Sequence, residues 1–197
     1  MKELARIEAP AAPPWRSLGE RSVQLSRIAI DGKTFPPRVR CFDQELQLNG
    51  AGLCEWGIFG FDLYRAALYS EAPFRTTEAA LAAAEDQVIV VHLDFVRRLS
   101  KAQLEQAYSA SVKANTGEQF PRFEAPLAEL LETMKEVQDG DSYTFTVEPD
   151  VGVWVQRDGV PLAKIEDPEF GRLFVRLYVG DQPPTKALRE GLLGGDR

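Results

Sequence analysis

The sequence of 197 residues holds one histidine and two cysteines. That scarcity leaves almost no material for a His/Cys metal site. Any Cys–His catalytic pair would have to use His92. Cys41 and Cys54 stand 13 positions apart and fit neither a CxxC nor a zinc spacing, so both are read as free, small packing residues. No metal and no cofactor is expected. Basic residues form no run, and 23 Lys and Arg are outnumbered by 30 Asp and Glu, for a net charge of −7. That balance argues against a nucleic-acid partner. No segment approaches the ~18–20 apolar residues of a membrane span, so no integral membrane segment is expected. The opening, MKELARIEAPAAPPWRSLGERS, lacks the apolar centre of a signal peptide. The expected location is cytoplasmic, or periplasmic if a native signal has been replaced.

What is present is a globular composition, 44% hydrophobic and 27% charged. The length fits one domain. Ala9 to Pro14 is rich in Ala and Pro and reads as a flexible leader. The expected division is a leader over 1–22 and a folded domain over 23–197.

Along that domain, Asp31-Gly32 marks a hairpin between Ile28/Ile30 and Phe35. Pro36-Pro37 puts this part at a sheet edge. Val39-Arg40-Cys41 can pair with Leu46-Gln47-Leu48 across Phe42 to Glu45. The small residues of Asn49 to Gly52 allow a close approach of backbone to something else. Trp56 to Tyr69 reads as one or two long strands covered on both faces. Thr77 is expected to cap an Ala-rich helix through Ala84, and Val88 to Leu93 is a buried strand.

Ser100 to Gln103 is a capping box. The helix behind it carries Leu104, Ala107, Tyr108, Ser111 and Val112 on one face. Pro126 opens a helix with the face Leu127, Leu130, Leu131 and Met134. Tyr143, Phe145 and Val147 alternate with polar residues as a half-buried strand. Val151 to Val155 and Val160 to Ile165 form a hairpin around Asp158-Gly159. Asp167-Pro168 starts a helix with the face Phe170, Leu173, Phe174, Leu177 and Tyr178, stopped by Gly180. A short last helix carries Leu188, Leu192 and Leu193. Strands, helices, strands, helices is not a βαβ alternation. It argues α+β, a large antiparallel sheet covered on one face by a layer of helices.

Five segments in this order resemble the bacterial branch of the chalcone isomerase-like family: LNGAG (48–52), the aromatic strand ending in Ala67-Leu68-Tyr69, VHLDFVRRLS (91–100), VWVQRDGVPLAKI (153–165) and LYVGDQPPTKALREGLLG (177–194). The resemblance covers about Ile28 to Gly194. It implies an open-faced β-sandwich with an elongated apolar cleft between sheet and helices. It also implies one of two activities. Plant members cyclise a chalcone without a cofactor; fatty-acid-binding and helper relatives use the same cleft to hold an apolar ligand. Fold alone cannot choose between them.

The plant chemistry needs a cation for the phenolate and enolate. In the plant enzyme this is an Arg two residues after the last Gly of the GAG turn, and the fatty-acid binders are thought to use it for the ligand carboxylate. Cys54 stands there in this chain, and a neutral thiol carries no fixed charge. By the same resemblance the next polar position, a Thr, falls at Tyr64. A helix Tyr falls at Leu104, with Tyr108 one turn on as a spatial substitute. An Asn falls at Ser111, and the late-helix Thr and its neighbour fall at Leu177 and Tyr178. The catalytic set is thus largely not retained.

The favoured reading is a non-catalytic protein whose cleft binds a small apolar or amphipathic molecule, a fatty acid or a relative of one. Its expected ligand-binding residues are Cys54, Tyr64, Leu104, Tyr108, Ser111, Leu177 and Tyr178. The alternative is an isomerase or intramolecular lyase built on Tyr64, Glu55 and Cys54, which requires Tyr64 and a carboxylate to converge. A third class, a partner-binding protein, requires a contiguous exposed apolar patch. His92, in an apolar strand, is read as a hydrogen-bonded residue rather than a base. Arg65, next to Tyr64, is expected on the opposite sheet face as a paired or solvated charge.

Overall fold

The computed structural model describes residues 15–17, 28–56 and 60–195. Ten strands occur among them: β1 (Trp15–Ser17), β2 (Ile28–Ile30), β3 (Lys33–Phe35), β4 (Arg38–Cys41), β5 (Gln44–Trp56), β6 (Phe61–Ser70), β7 (Ile89–Phe95), β8 (Ser142–Glu148), β9 (Gly152–Arg157) and β10 (Val160–Ile165). The helices are α1 (Thr77–Asp86), α2 (Lys101–Thr116), α3 (Glu124–Thr133), α4 (Pro168–Val179) and α5 (Lys186–Leu192), with a 3₁₀ segment at Gly117–Phe123. Eight strands make one antiparallel sheet in the order β1-β4-β5-β6-β7-β8-β9-β10, and β2-β3 form a separate hairpin. This is the expected α+β architecture. Of the expected leader, Trp15–Ser17 pair with β4 at the sheet edge; the rest of 1–22 lies outside the described residues. No helix among the described residues is long and apolar enough to cross a membrane.

Local chemistry accounts for most element ends. Ser100 caps α2 with both bonds of the capping box, Asp167 caps α4 with Pro168 behind it, and Thr185 caps α5. α1 starts one position earlier than its sequence suggests: Thr76, not Thr77, accepts from the Ala79 N–H. The β4–β5 turn is also tighter than expected. Cys41 pairs with Gln44, leaving two turn residues, and Phe42 takes a φ of 51° to close it.

β8 departs from the half-buried pattern. Thr144 and Thr146 are as buried as Tyr143 and Phe145. The sheet's second face is covered too, by a cluster in which Phe35 of β3 packs with Val39, Cys41, Leu46, Tyr69 and Val90. Helices cover the first face. There α5 lies directly on β5 because Gly50 and Gly52 present no side chain. A Cβ on Gly50 would stand 2.2 Å from the Gly191 carbonyl oxygen. Asn49 locks this junction, donating to the Leu192 carbonyl (2.7 Å) and accepting from the Phe74 N–H (2.7 Å). The close approach expected from the small residues of 49–52 is therefore the docking of α5.

Candidate functional site

β5 presents Gly50, Gly52 and Cys54 on one face. The first two are sealed by α5. At Cys54 that helix has passed, and a cleft of about 600 Å³ opens. Its floor is Cys54 of β5, Tyr64 of β6 and Leu93 and Phe95 of β7. One wall is α2, with Leu104, Tyr108 and Ser111. The other is the end of α4, with Leu177 and Tyr178, continued by Gln182-Pro183-Pro184. All seven residues expected to bind a ligand line this one cleft.

The space exists because α2 does not descend onto the sheet. α2 packs against α4, α3 and the 3₁₀ segment. It is propped by Tyr108, whose ring lies 6.2 Å from Phe174 and 6.0 Å from Phe145. Phe174 in turn contacts Phe145 at 4.6 Å and Tyr178 at 5.6 Å. Large rings at these four positions hold helix and strand apart. On α2, Leu104 and Val112 are buried, whereas Ala107 is exposed at the cleft; the expected helix face is correct, but one of its members borders open space.

Polar groups gather at one end of the cleft. Tyr64 faces Cys54 directly across the β5–β6 ladder, and its hydroxyl interacts with the Cys54 sulfur. The Tyr108 and Tyr178 hydroxyls are 3.1 Å apart. Burial pushes the Cys54 thiol up to about 11, with the Tyr64 hydrogen bond opposing and Glu55 adding a little. Burial likewise pushes the Tyr64, Tyr108 and Tyr178 hydroxyls well above the ordinary tyrosine range. Three phenols and a thiol are therefore all protonated at neutral pH. They can donate and accept hydrogen bonds, but they are poorly placed to accept a proton.

Glu55 does not join them. A bulge in the ladder follows Cys54, so Glu55 pairs with Asp62. Its side chain is exposed at the cleft mouth, Oε1 lying 3.5 Å from where a side chain on Gly60 would begin. The geometry thus gives the Tyr64–Cys54 half of the enzymatic constellation and leaves its carboxylate at the rim.

The other sequence candidates lie elsewhere. His92 is buried on the opposite sheet face, with Nδ1 2.9 Å from the Thr144 hydroxyl and the ring edge-on to Phe35. Arg65 is on that face as well, bonded to Asp31 at 2.7 Å. The large exposed hydrophobics among the described residues, Phe61 and Val160, sit on strands separated by three others, so they form no contiguous patch. Sequence reading missed the lining residues Leu93, Phe95, Gln103 and Gln182. The first two were within reach: they share the period-two face of Val91. Gln182 follows Gly180, where no periodicity operates.

Comparison with known proteins places this geometry. No curated protein sequence matches the chain. Among solved structures, a crystal structure of a fatty-acid binding protein from Arabidopsis thaliana is similar at 18% identity, with a TM-score of 0.69 over 85% of this chain and 96% of that one. At that identity the likeness is one of fold. A family model described as chalcone isomerase-like matches residues 27–194. With most of its length matched by that model and with the sheet, helices and cleft in place, the chain belongs to the chalcone isomerase-like family.

Proposed function

We propose that this protein holds a small apolar or amphipathic molecule, a fatty acid or related lipid, in the cleft between β5–β7 and α2/α4, without turning it over. The observation that carries the reading is the cleft itself: about 600 Å³, walled by Leu, Phe, Ala and Pro side chains and ending in a cluster of hydroxyls. That is the size and make-up of a small-molecule site. Cys54, Tyr64, Leu104, Tyr108, Ser111, Leu177 and Tyr178 are its proposed contacts. The similar fold of the plant fatty-acid binding protein supports the same use of the space. The enzymatic alternative has less support, since the Glu55 side chain is exposed and the buried thiol and phenols hold their protons. A cytoplasmic location and membership of the family's bacterial branch complete the proposal.

Native mass spectrometry of the purified protein, before and after soaking with fatty acids, flavonoids and a cell lipid extract, tests it. One retained species should appear. At a hundredfold excess over its dissociation constant it should stabilise the fold by about 2.7 kcal/mol. A protein that retains nothing and shows no thermal shift with any of these would overturn the reading.

A further inference from the structure

The cleft's charge inventory narrows the ligand further, given the ligand-holding role proposed above. No Lys, Arg or His lines the cleft among the described residues. Four cations near it are engaged elsewhere. Lys101 donates to the Leu131 and Met134 carbonyls (3.0 and 3.1 Å) and pairs with Glu105. Lys113 sits over the Phe120 ring at 5.0 Å, and Arg97 over the Phe61 ring at 4.9 Å. Arg65 is on the far side of the sheet with Asp31. Among the described residues the one carboxylate at the cleft is Glu55, at its mouth, where it repels an incoming anion. The inner polar groups are hydroxyls and a thiol, which offer hydrogen bonds but no countercharge.

An anionic headgroup buried among them would lose its water and gain no opposite charge, which is strongly unfavourable. A neutral oxygen loses far less and is well served. In the Tyr108–Tyr178 pair one hydroxyl donates to the other, so the acceptor's own O–H is left for a third group. We infer that the occupant is uncharged at its buried end: a neutral amphiphile with a hydroxyl or carbonyl, such as a long-chain alcohol, ketone or ester, and not a free fatty-acid anion.

The test is calorimetric titration of the full chain with four ligands of equal chain length: decanol, methyl octyl ketone, decanoate and decane. At about pH 8 the alcohol or the ketone should bind about tenfold or more tighter than decanoate. The gap should narrow near pH 5, where the acid becomes neutral. Tyr108→Phe and Tyr178→Phe should each weaken the preferred polar ligand about fivefold while leaving decane unchanged. The wild-type series stands even if one variant fails to fold. Decanoate binding as tightly as the neutral ligands at pH 8 overturns the inference and leaves the ligand-holding role intact. Failure of all four to bind counts against that role itself.

Discussion

The two faces of the sheet are made from alternate residues of the same strands, yet they solve opposite problems. The helical face has aromatic rings to spare and keeps open space: Tyr64, Phe95, Tyr108 and Tyr178 surround a cleft that no side chain fills. The hairpin face carries the buried polarity. His92, Asp94, Thr144 and Gln156 lie there at 8% exposure or less. Lys33 of the hairpin pairs with Asp94, Arg65 bonds Asp31, and Nδ1 of His92 bonds the Thr144 hydroxyl. The Gln156 amide and the Tyr69 hydroxyl are buried with no hydrogen-bond partner among the described residues. The contrast has a physical lesson. Charges are tolerated where a short hairpin can lay partners on them. Room for a ligand is found where bulky rings stop a helix from settling.

Five substitutions probe that contrast. The largest effect should come from closing the place where α5 touches β5 without a spacer. Gly50→Val would drive a side chain into the Gly191 and Leu192 carbonyls, both on rigid backbone. A loss of about 3 kcal/mol is expected in urea unfolding. A well-folded, equally stable variant would show that α5 docks more loosely than the structure has it.

Next is the hairpin face, probed by pH. Burial pushes the His92 imidazole down to about 4, with Asp94 opposing and Lys33 assisting. The unfolded chain therefore takes up a proton at His92 before the native protein does. Its contribution is complete above about pH 6.5 and is lost as the pH falls toward 4, about 3 kcal/mol in all. Denaturant titrations across this window should show that slope, and His92→Gln should flatten it. An unchanged slope in the variant would assign the acid sensitivity to other groups.

Two tyrosines of the helical face sharpen the comparison further. The Tyr143 hydroxyl donates to the Thr133 carbonyl and accepts from the Lys135 N–H, each at 3.0 Å. Tyr143→Phe strands both backbone groups at the end of α3 and should cost about 2 kcal/mol. Tyr108→Phe, whose hydroxyl borders the cleft, should cost under about 1 kcal/mol in the same unfolding assay. Equal costs would mean that the cleft hydroxyls are structural. The smallest effect is expected at the mouth. Glu55→Gln should leave stability within about 0.5 kcal/mol and weaken no neutral ligand. A large loss of decanol affinity would move Glu55 from the rim into the site.

The elements were mostly legible from local chemistry. The capping box at Ser100, Asp167-Pro168 before α4 and the Asp-Gly turns at 31 and 158 locate α2, α4 and two hairpins, because capping and turn preferences act within a few residues. The site was partly legible. The family pattern picked out Cys54, Tyr64, Leu104, Tyr108, Ser111, Leu177 and Tyr178, and those seven meet in one cleft. Gln103 and Gln182 carried no such mark, whereas Leu93 and Phe95 shared the period-two face of Val91 and could have been read from it.

By itself, then, the sequence determined the architecture, the lack of a cation at Cys54 and the placement of Arg65 on the face opposite Tyr64. Strand alternation and turn chemistry are short-range and can be read along the chain. Only the tertiary structure decided that Glu55 is exposed opposite Asp62, that the glycines of β5 serve α5, and that Thr144 and Thr146 are buried. The first depends on a bulge in the β5–β6 ladder, the other two on what packs against a face from far along the chain: a helix more than 130 positions away and a hairpin more than 100 positions upstream. No local preference encodes which distant segment arrives, or how closely it can approach.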